Sequence, residues 1–276
     1  MKKLLFLSLI ALGTSCKNGA LVNSTKNVDP TQYMKTITAE DLKKHLYIIA
    51  ADSMQGRETG SAGQKKAGRY LIGEYQKNQV SFPKGASDFY QAVPAAFLNK
   101  KRNNNLPDSE NIWAFIEGTE KPEEVIVISA HYDHVGIENG EIYNGADDDG
   151  SGTSALLEIA QAFQMAKKEG NGPKSSILFL HVTGEEHGLL GSRYYSENPL
   201  FPLANTVADV NIDMIGRRDE LHATTNNYVY IIGANRLSAE LDHISAIMNQ
   251  KYVGLDLDYR FNDPKDPNRF YERSDH

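Results

Sequence analysis

Two runs of apolar residues, Val125–Ala130 and Ser176–Val182, show no polar alternation. Short runs of this kind mark strands covered on both faces. Between them, Ala155–Ala166 repeats its apolar residues at helical spacing. The pattern predicts strand 124–130, helix 152–167, strand 176–182, short helix 191–197, strand 206–213, strand 228–232 and helix 238–250. Strands alternating with helices argue for an α/β fold: a mixed, mostly parallel central sheet with helices on both faces. The first part of the chain reads differently. Thr38 with Asp41 forms a weak capping box before Leu42, Leu46 and Ile49, predicting a helix over 39–52. Ala67, Tyr70, Leu71 and Tyr75 share one face of a second helix over 62–79. Residues 90–97 and 111–116 read as strands. The basic run 100–102 and Asn103–Asn105 lie between them as a solvated hairpin tip. No internal repeat or low-complexity tract interrupts the pattern.

A length of 276 residues fits one large domain, or one domain with a small appendage. The net charge of −7 offers no electrostatic reason to expect nucleic acid and leaves peptides and small molecules open. Lys2-Lys3, an apolar Leu4–Leu12 and small residues before Cys16 resemble a bacterial lipoprotein signal. The apolar stretch is too short to span a bilayer as a mature helix. Gly13 stands where such signals usually carry leucine. The organisation expected is therefore signal peptide 1–15, a lipidated Cys16 opening a polar linker over 16–36, and one domain over 37–276. The protein is expected to be exported and anchored by lipid to a bacterial cell-envelope membrane; an ordinary secretory signal would instead make it periplasmic or secreted. With Cys16 the only cysteine, no internal disulfide can form.

The chemistry gathers at three predicted strand ends. The first delivers His131 and Asp133, followed by Asn144-Gly145-Ala146-Asp147-Asp148-Asp149-Gly150 at the start of a helix. The second ends in Gly184-Glu185-Glu186-His187-Gly188, and the third in Asn211-Ile212-Asp213-Met214. Ligands of open α/β sheets bind beyond the carboxyl ends of the strands, so three such clusters can share one crevice. Histidine with several carboxylates suits a divalent metal. Asp133, two residues after His131, is placed to orient its ring. A bound metal lowers the pKa of water towards ~7, and one of the two adjacent glutamates can take the proton. Two metals about 3.5–4 Å apart need a bridging carboxylate, which the Asp147–Asp149 run could supply. His134 and His187 are read as bystanders.

Together these motifs resemble the co-catalytic zinc aminopeptidases of family M28, over roughly residues 38–276. The resemblance implies a phosphorylase/hydrolase-like zinc exopeptidase fold. It implies that His131, Asp148, Glu186 and Asp213 hold zinc, with Asp148 bridging two ions and its peptide to Asp149 cis. Asp133 becomes the partner of His131, and Glu185 the general base that activates a metal-bound water. The family's further histidine ligand follows a Ser-Asp-His segment, a helix and a last strand. Here Ser274-Asp275-His276 matches that segment, so the domain is expected to be C-terminally incomplete, with the final strand missing. One zinc is then expected to bind well, through His131, Asp148 and Asp213, and the second poorly, through Asp148 and Glu186 alone. His276 is read as the family's non-ligand histidine. The function implied is a zinc-dependent exopeptidase, an aminopeptidase acting on peptides outside the cytoplasm. The alternatives are a glutaminyl cyclase-like acyltransferase and a non-catalytic, lipid-anchored binding protein.

Overall fold

The computed structural model describes residues 28–100 and 105–276. The signal segment and Cys16 lie outside the described residues, as does most of the expected hairpin tip.

Nine strands and eight α-helices succeed one another along the described chain. A helical turn, α1 (Thr31–Met34), is followed by α2 (Ala39–Ile49) and α3 (Ala62–Lys77). Then come β1 (Tyr90–Val93), the short α4 (Ala95–Leu98), β2 (Ser109–Ile116), β3 (Lys121–His131) and a small hairpin of β4 (Gly136–Glu138) and β5 (Glu141–Tyr143). Helix α5 (Gly150–Lys168), β6 (Ser175–Val182), α6 (Leu190–Glu197) and β7 (Thr206–Asn211) complete the central layer. Beyond it, β8 (Tyr228–Tyr230), α7 (Ala234–Leu237), α8 (Ala239–Tyr252) and β9 (Asp256–Asp258) follow.

The central sheet is mixed, in the order β1-β2-β6-β3-β7. β3 runs parallel to both β6 and β7, while β2 is antiparallel to β6 and to β1. β6 lies at the centre, which explains its unbroken apolar sequence. Its side chains alternate between two cores. Ile177 and Phe179 pack with Leu71 and Tyr75 of α3 and Leu156 and Leu157 of α5 on one face. Leu178, Leu180 and Val182 pack with Trp113 and Tyr195 of α6 on the other. Helices therefore cover both faces, as expected.

Helix starts follow local chemistry. The Thr38 side chain accepts from the Asp41 N–H and that of Ser61 from the Gln64 N–H, capping α2 and α3. Asp149 caps α5 by accepting from the Gly152 N–H, and Lys167 and Lys168 sit at its negative end.

Several expectations need correction. The strand over 90–97 stops at Val93, because Pro94 cannot donate to a ladder and instead opens α4. Within the expected linker, residues 31–34 form α1, and Tyr33 is buried and donates to Glu169 at the end of α5 (2.6 Å). The helix over 39–52 ends at Ile49, and 3₁₀ turns run from Asp52 to Arg57. The strand over 228–232 does not join the central sheet; β8 pairs with β9 in a separate parallel ribbon. β7 is an edge strand among the described residues, with Val207 and Val210 exposed.

Candidate metal centre

The parallel arrangement of β6, β3 and β7 brings their three carboxyl ends side by side. His131 is the last residue of β3, Glu185 and Glu186 follow β6 across the turn at Gly184, and Asp213 follows β7. The α5 cap brings Asp148 against them. His131, Asp148, Glu185, Glu186 and Asp213 thus meet at the carboxyl ends of these parallel strands.

His131 is buried, and its Nε2 lies 3.0 Å from Asp148 Oδ1 and 3.8 Å from Asp213 Oδ1. These three groups form one set of donor atoms lying within 4.8 Å of one another. A second set joins His134, Asp148 and Glu186, with His134 Nδ1 2.6 Å from Glu186 Oε1. Asp148 belongs to both. His134, read as a bystander, contributes its Nδ1 to this second set of donor atoms. His187 belongs to neither set. His276 packs beside Tyr271 and also lies outside both.

The three consecutive aspartates have separate partners. Asp147 holds the loop after β7, pairing with Arg217 Nε (2.7 Å) and accepting from the Gly216 N–H (2.7 Å). Asp148 faces the two histidines. Asp149 is buried as the α5 cap. The Asp148–Asp149 peptide is cis, as the resemblance implied.

Asp133 orients His131 differently from the expectation. The ring Nδ1 lies 3.1 Å from the Asp133 carbonyl, whereas the nearest carboxylate oxygen is 3.9 Å away. That carboxylate accepts instead from Thr59 Oγ1 (2.7 Å) and from the Glu185 N–H (3.3 Å), tying β3 to the Glu185 loop. Ser274 Oγ similarly donates to Asp213 Oδ2 (2.7 Å).

Buried polar atoms normally find a partner. Here His131 Nε2, His134 Nδ1, Glu186 Oε1 and Asp213 Oδ1 are buried without a well-formed hydrogen bond, although oppositely charged groups stand close by. Four unsatisfied donor atoms aimed at common points fit divalent cations, and imidazole with carboxylate oxygen is a donor set that zinc accepts. The local charges agree. Burial tends to neutralise His131, but Asp148 and Asp213 outweigh it and hold its pKa well above the ordinary value. Burial pushes Glu185 up to about 8; Asp275, Asp133 and Glu186 act the same way, and His131 opposes them. Asp275, which sequence reasoning passed over, is buried and hydrogen-bonded to Ser192, and burial pushes it up to about 7.

The family model of peptidase family M28 matches residues 111–276. The chain belongs to this family. Within its M28 segment lie both donor sets and Glu185. A probable glutamate carboxypeptidase of Arabidopsis thaliana, LAMP1, is 33% identical over 116 residues, covering 42% of this chain and 16% of the relative. The M28 chain thus spans a minor part of that curated relative. Among solved structures, BSAP, a zinc aminopeptidase from Bacillus subtilis, superposes with a TM-score of 0.58 at 16% identity, covering 80% of this chain and 79% of its own. Porphyromonas gingivalis glutaminyl cyclase superposes with a TM-score of 0.57 at 20% identity, covering 80% and 75%. At such identities the likeness concerns the fold, which confirms the mixed α/β exopeptidase architecture.

Proposed function

We propose that the protein is a zinc-dependent exopeptidase of the aminopeptidase type. The observation that carries this reading is the pair of donor sets sharing Asp148, with a raised-pKa carboxylate, Glu185, beside them. His131, Asp148 and Asp213 would hold one ion, and Asp148 with Glu186 would contribute to a second. Zinc bound there supplies Lewis acidity towards the scissile carbonyl and the attacking water.

The chain's own residues do the rest. Glu185 removes a proton from the attacking water and returns it to the leaving amine. Burial suits it to that exchange, because a base whose pKa lies near the working pH both accepts and releases a proton readily. Asp133 fixes Glu185 through its backbone N–H and His131 through its own carbonyl. The Asp149 cap holds Asp148 at the helix start and also accepts from the Met214 N–H (3.3 Å), which positions Asp213.

The aminopeptidase direction draws on the likeness to BSAP. The same reading makes small peptides the substrates and locates the work outside the cytoplasm, with the protein tethered through Cys16.

The test is an assay of zinc-loaded protein on an aminoacyl chromogenic substrate, a C-terminal glutamyl peptide and an N-terminal glutaminyl peptide. Release of the amino-terminal residue is expected, and Glu185→Gln should retain zinc while losing about 10²–10⁴-fold in turnover. Cyclisation of the glutaminyl peptide without hydrolysis would move the protein to the cyclase reading. Undiminished turnover by Glu185→Gln would reject the role of that residue.

A further inference from the structure

The chain enters the domain at the pole opposite its metal centre. Val28, the first described residue, packs with Ile37 against a cluster of Tyr33 from α1 and Ala162 and Ala166 from the last turns of α5. The Tyr33 hydroxyl donates to Glu169 (2.6 Å) and accepts from Asn171 Nδ2 (2.8 Å), just past the C-terminal end of that helix. The N-terminal end of the same helix is capped by Asp149, beside Asp148. We infer that the anchored domain stands on this far pole with its metal centre turned away from the membrane, so that its substrates are peptides free in solution and not chains held at the membrane surface. The inference rests on the lipid-anchored exopeptidase reading above and narrows its substrate class.

Two elements measure the separation of the poles. Helix α5 has 19 residues and, at 1.5 Å per residue, is about 28 Å long. Strand β6 returns over the same distance: its 8 residues cover about 26 Å before the chain reaches Glu185. The tether is short by comparison. Eleven residues separate Cys16 from Val28, a span of at most about 40 Å. Were the domain reversed, with its metal centre against the membrane, α5 would hold Val28 about 28 Å above the surface. The tether would then be drawn out over most of its reach, which costs chain entropy. With the metal centre outward, the tether bears no such demand.

Charge at the far pole does not compete with the tether. Lys84, Lys121 and Lys174 pair there with Glu117, Glu124 and Glu120. These groups lie level with the start of β6, since Lys121 stands opposite Ser175 in the parallel ladder. Lys167 and Lys168 turn to the carbonyls of Glu117 (3.1 Å) and Asn78 (3.3 Å). Charges of both signs interleaved in this way give little net attraction to anionic headgroups beyond a Debye length. The attachment point, not surface charge, therefore sets which way the domain faces.

The experiment uses the full lipidated chain, loaded with zinc and reconstituted in phosphatidylcholine vesicles. One aminoacyl peptide is offered free, joined to a phospholipid through a spacer of about 10 Å, and joined through a spacer of about 60 Å. The anchored chain should hydrolyse the free and long-spacer forms alike. It should hydrolyse the short-spacer form at least ~10-fold more slowly, because a link too short to span the gap leaves almost no effective concentration. The unlipidated Cys16→Ser protein, which can approach a vesicle in any orientation, should cleave all three. Lengthening the tether by about thirty Gly and Ser residues after Lys17 should restore cleavage of the short-spacer form. Equal hydrolysis of all three forms by the anchored chain overturns the inference. A short-spacer form that the Cys16→Ser protein also fails to cleave overturns it too, since orientation is then not the cause. A chain that does not float with the vesicles overturns the tether, and one that floats but releases no residue from the free peptide overturns the exopeptidase reading; in either case the inference falls with it.

Discussion

Asp147, Asp148 and Asp149 carry the same side chain in three different surroundings, so position alone separates a loop anchor, a carboxylate shared by the two ligand-atom sets and a helix cap. Burial makes a comparable distinction among the histidines. His131 is buried among carboxylates and favours its charged form, whereas His181, buried in the apolar sheet, is held neutral with its pKa lowered to about 3. Its Nε2 lies 2.7 Å from the Tyr75 hydroxyl. The folded pKa of His181 is below the unfolded one of ~6.5, so the unfolded chain binds the proton first. Stability is therefore complete above ~6.5 and is lost as pH falls towards 3. The loss from this one group at pH 5 is about 2 kcal/mol. His181→Gln should flatten the fall in melting temperature between pH 7 and pH 5 by roughly 4–8 °C, measured by scanning calorimetry on both proteins in identical buffers. Parallel pH profiles would show that His181 is not the group responsible.

At the scale of elements, the site depends on a buried residue that belongs to neither donor set. Arg57 ends the 3₁₀ turns after α2 and is completely inaccessible. Its guanidinium donates to the carbonyls of Ile49, Tyr132, Asn144 and Gly145 at 2.7–2.9 Å. Those carbonyls belong to the end of α2, the residue after β3 and the turn leading to α5. One planar fork therefore ties together three segments, as only arginine's geometry allows. Burial opposes its charge and lowers its pKa to about 10, while Asp133, Asp149, Asp148 and Glu186 restrain the shift. Arg57→Met should destabilise the fold by about 3–5 kcal/mol, since it removes four buried hydrogen bonds and leaves the acidic cluster without its cation. Urea denaturation would measure this. A midpoint unchanged from wild type would mean that the three segments are held by their other contacts.

For the whole molecule, three carboxyl ends of parallel strands converge on one edge, and their acidic groups repel one another unless cations intervene. Zinc should therefore stabilise the fold. At free zinc a hundredfold above its dissociation constant, the gain is about 2.7 kcal/mol, or roughly 5–10 °C in melting temperature for a chain of this size. Thermal melts with zinc and after chelation would show it, and identical melts would argue against preformed metal positions. The proposed tether is testable on cells. Cys16→Ser should move the protein from the membrane pellet to the soluble fraction; wild-type protein already in the soluble fraction would dispose of the anchor.

The sequence by itself determined the alternation of strands and helices, the central place of β6 and the three acidic strand ends, because burial on two faces leaves a direct imprint on residue type. It also pointed to His131, Asp148, Glu186 and Asp213 through motifs whose members lie close together in the chain. It could not determine which strand stands next to which, and hence that β8 leaves the central sheet, since pairing depends on contacts between distant segments. Nor could it reveal the direction of a side chain beyond a strand end. His134 read as incidental because nothing local distinguishes it. Only the folded chain, with Gly145 beneath its ring and Arg57 bracing both, turns that histidine towards Glu186.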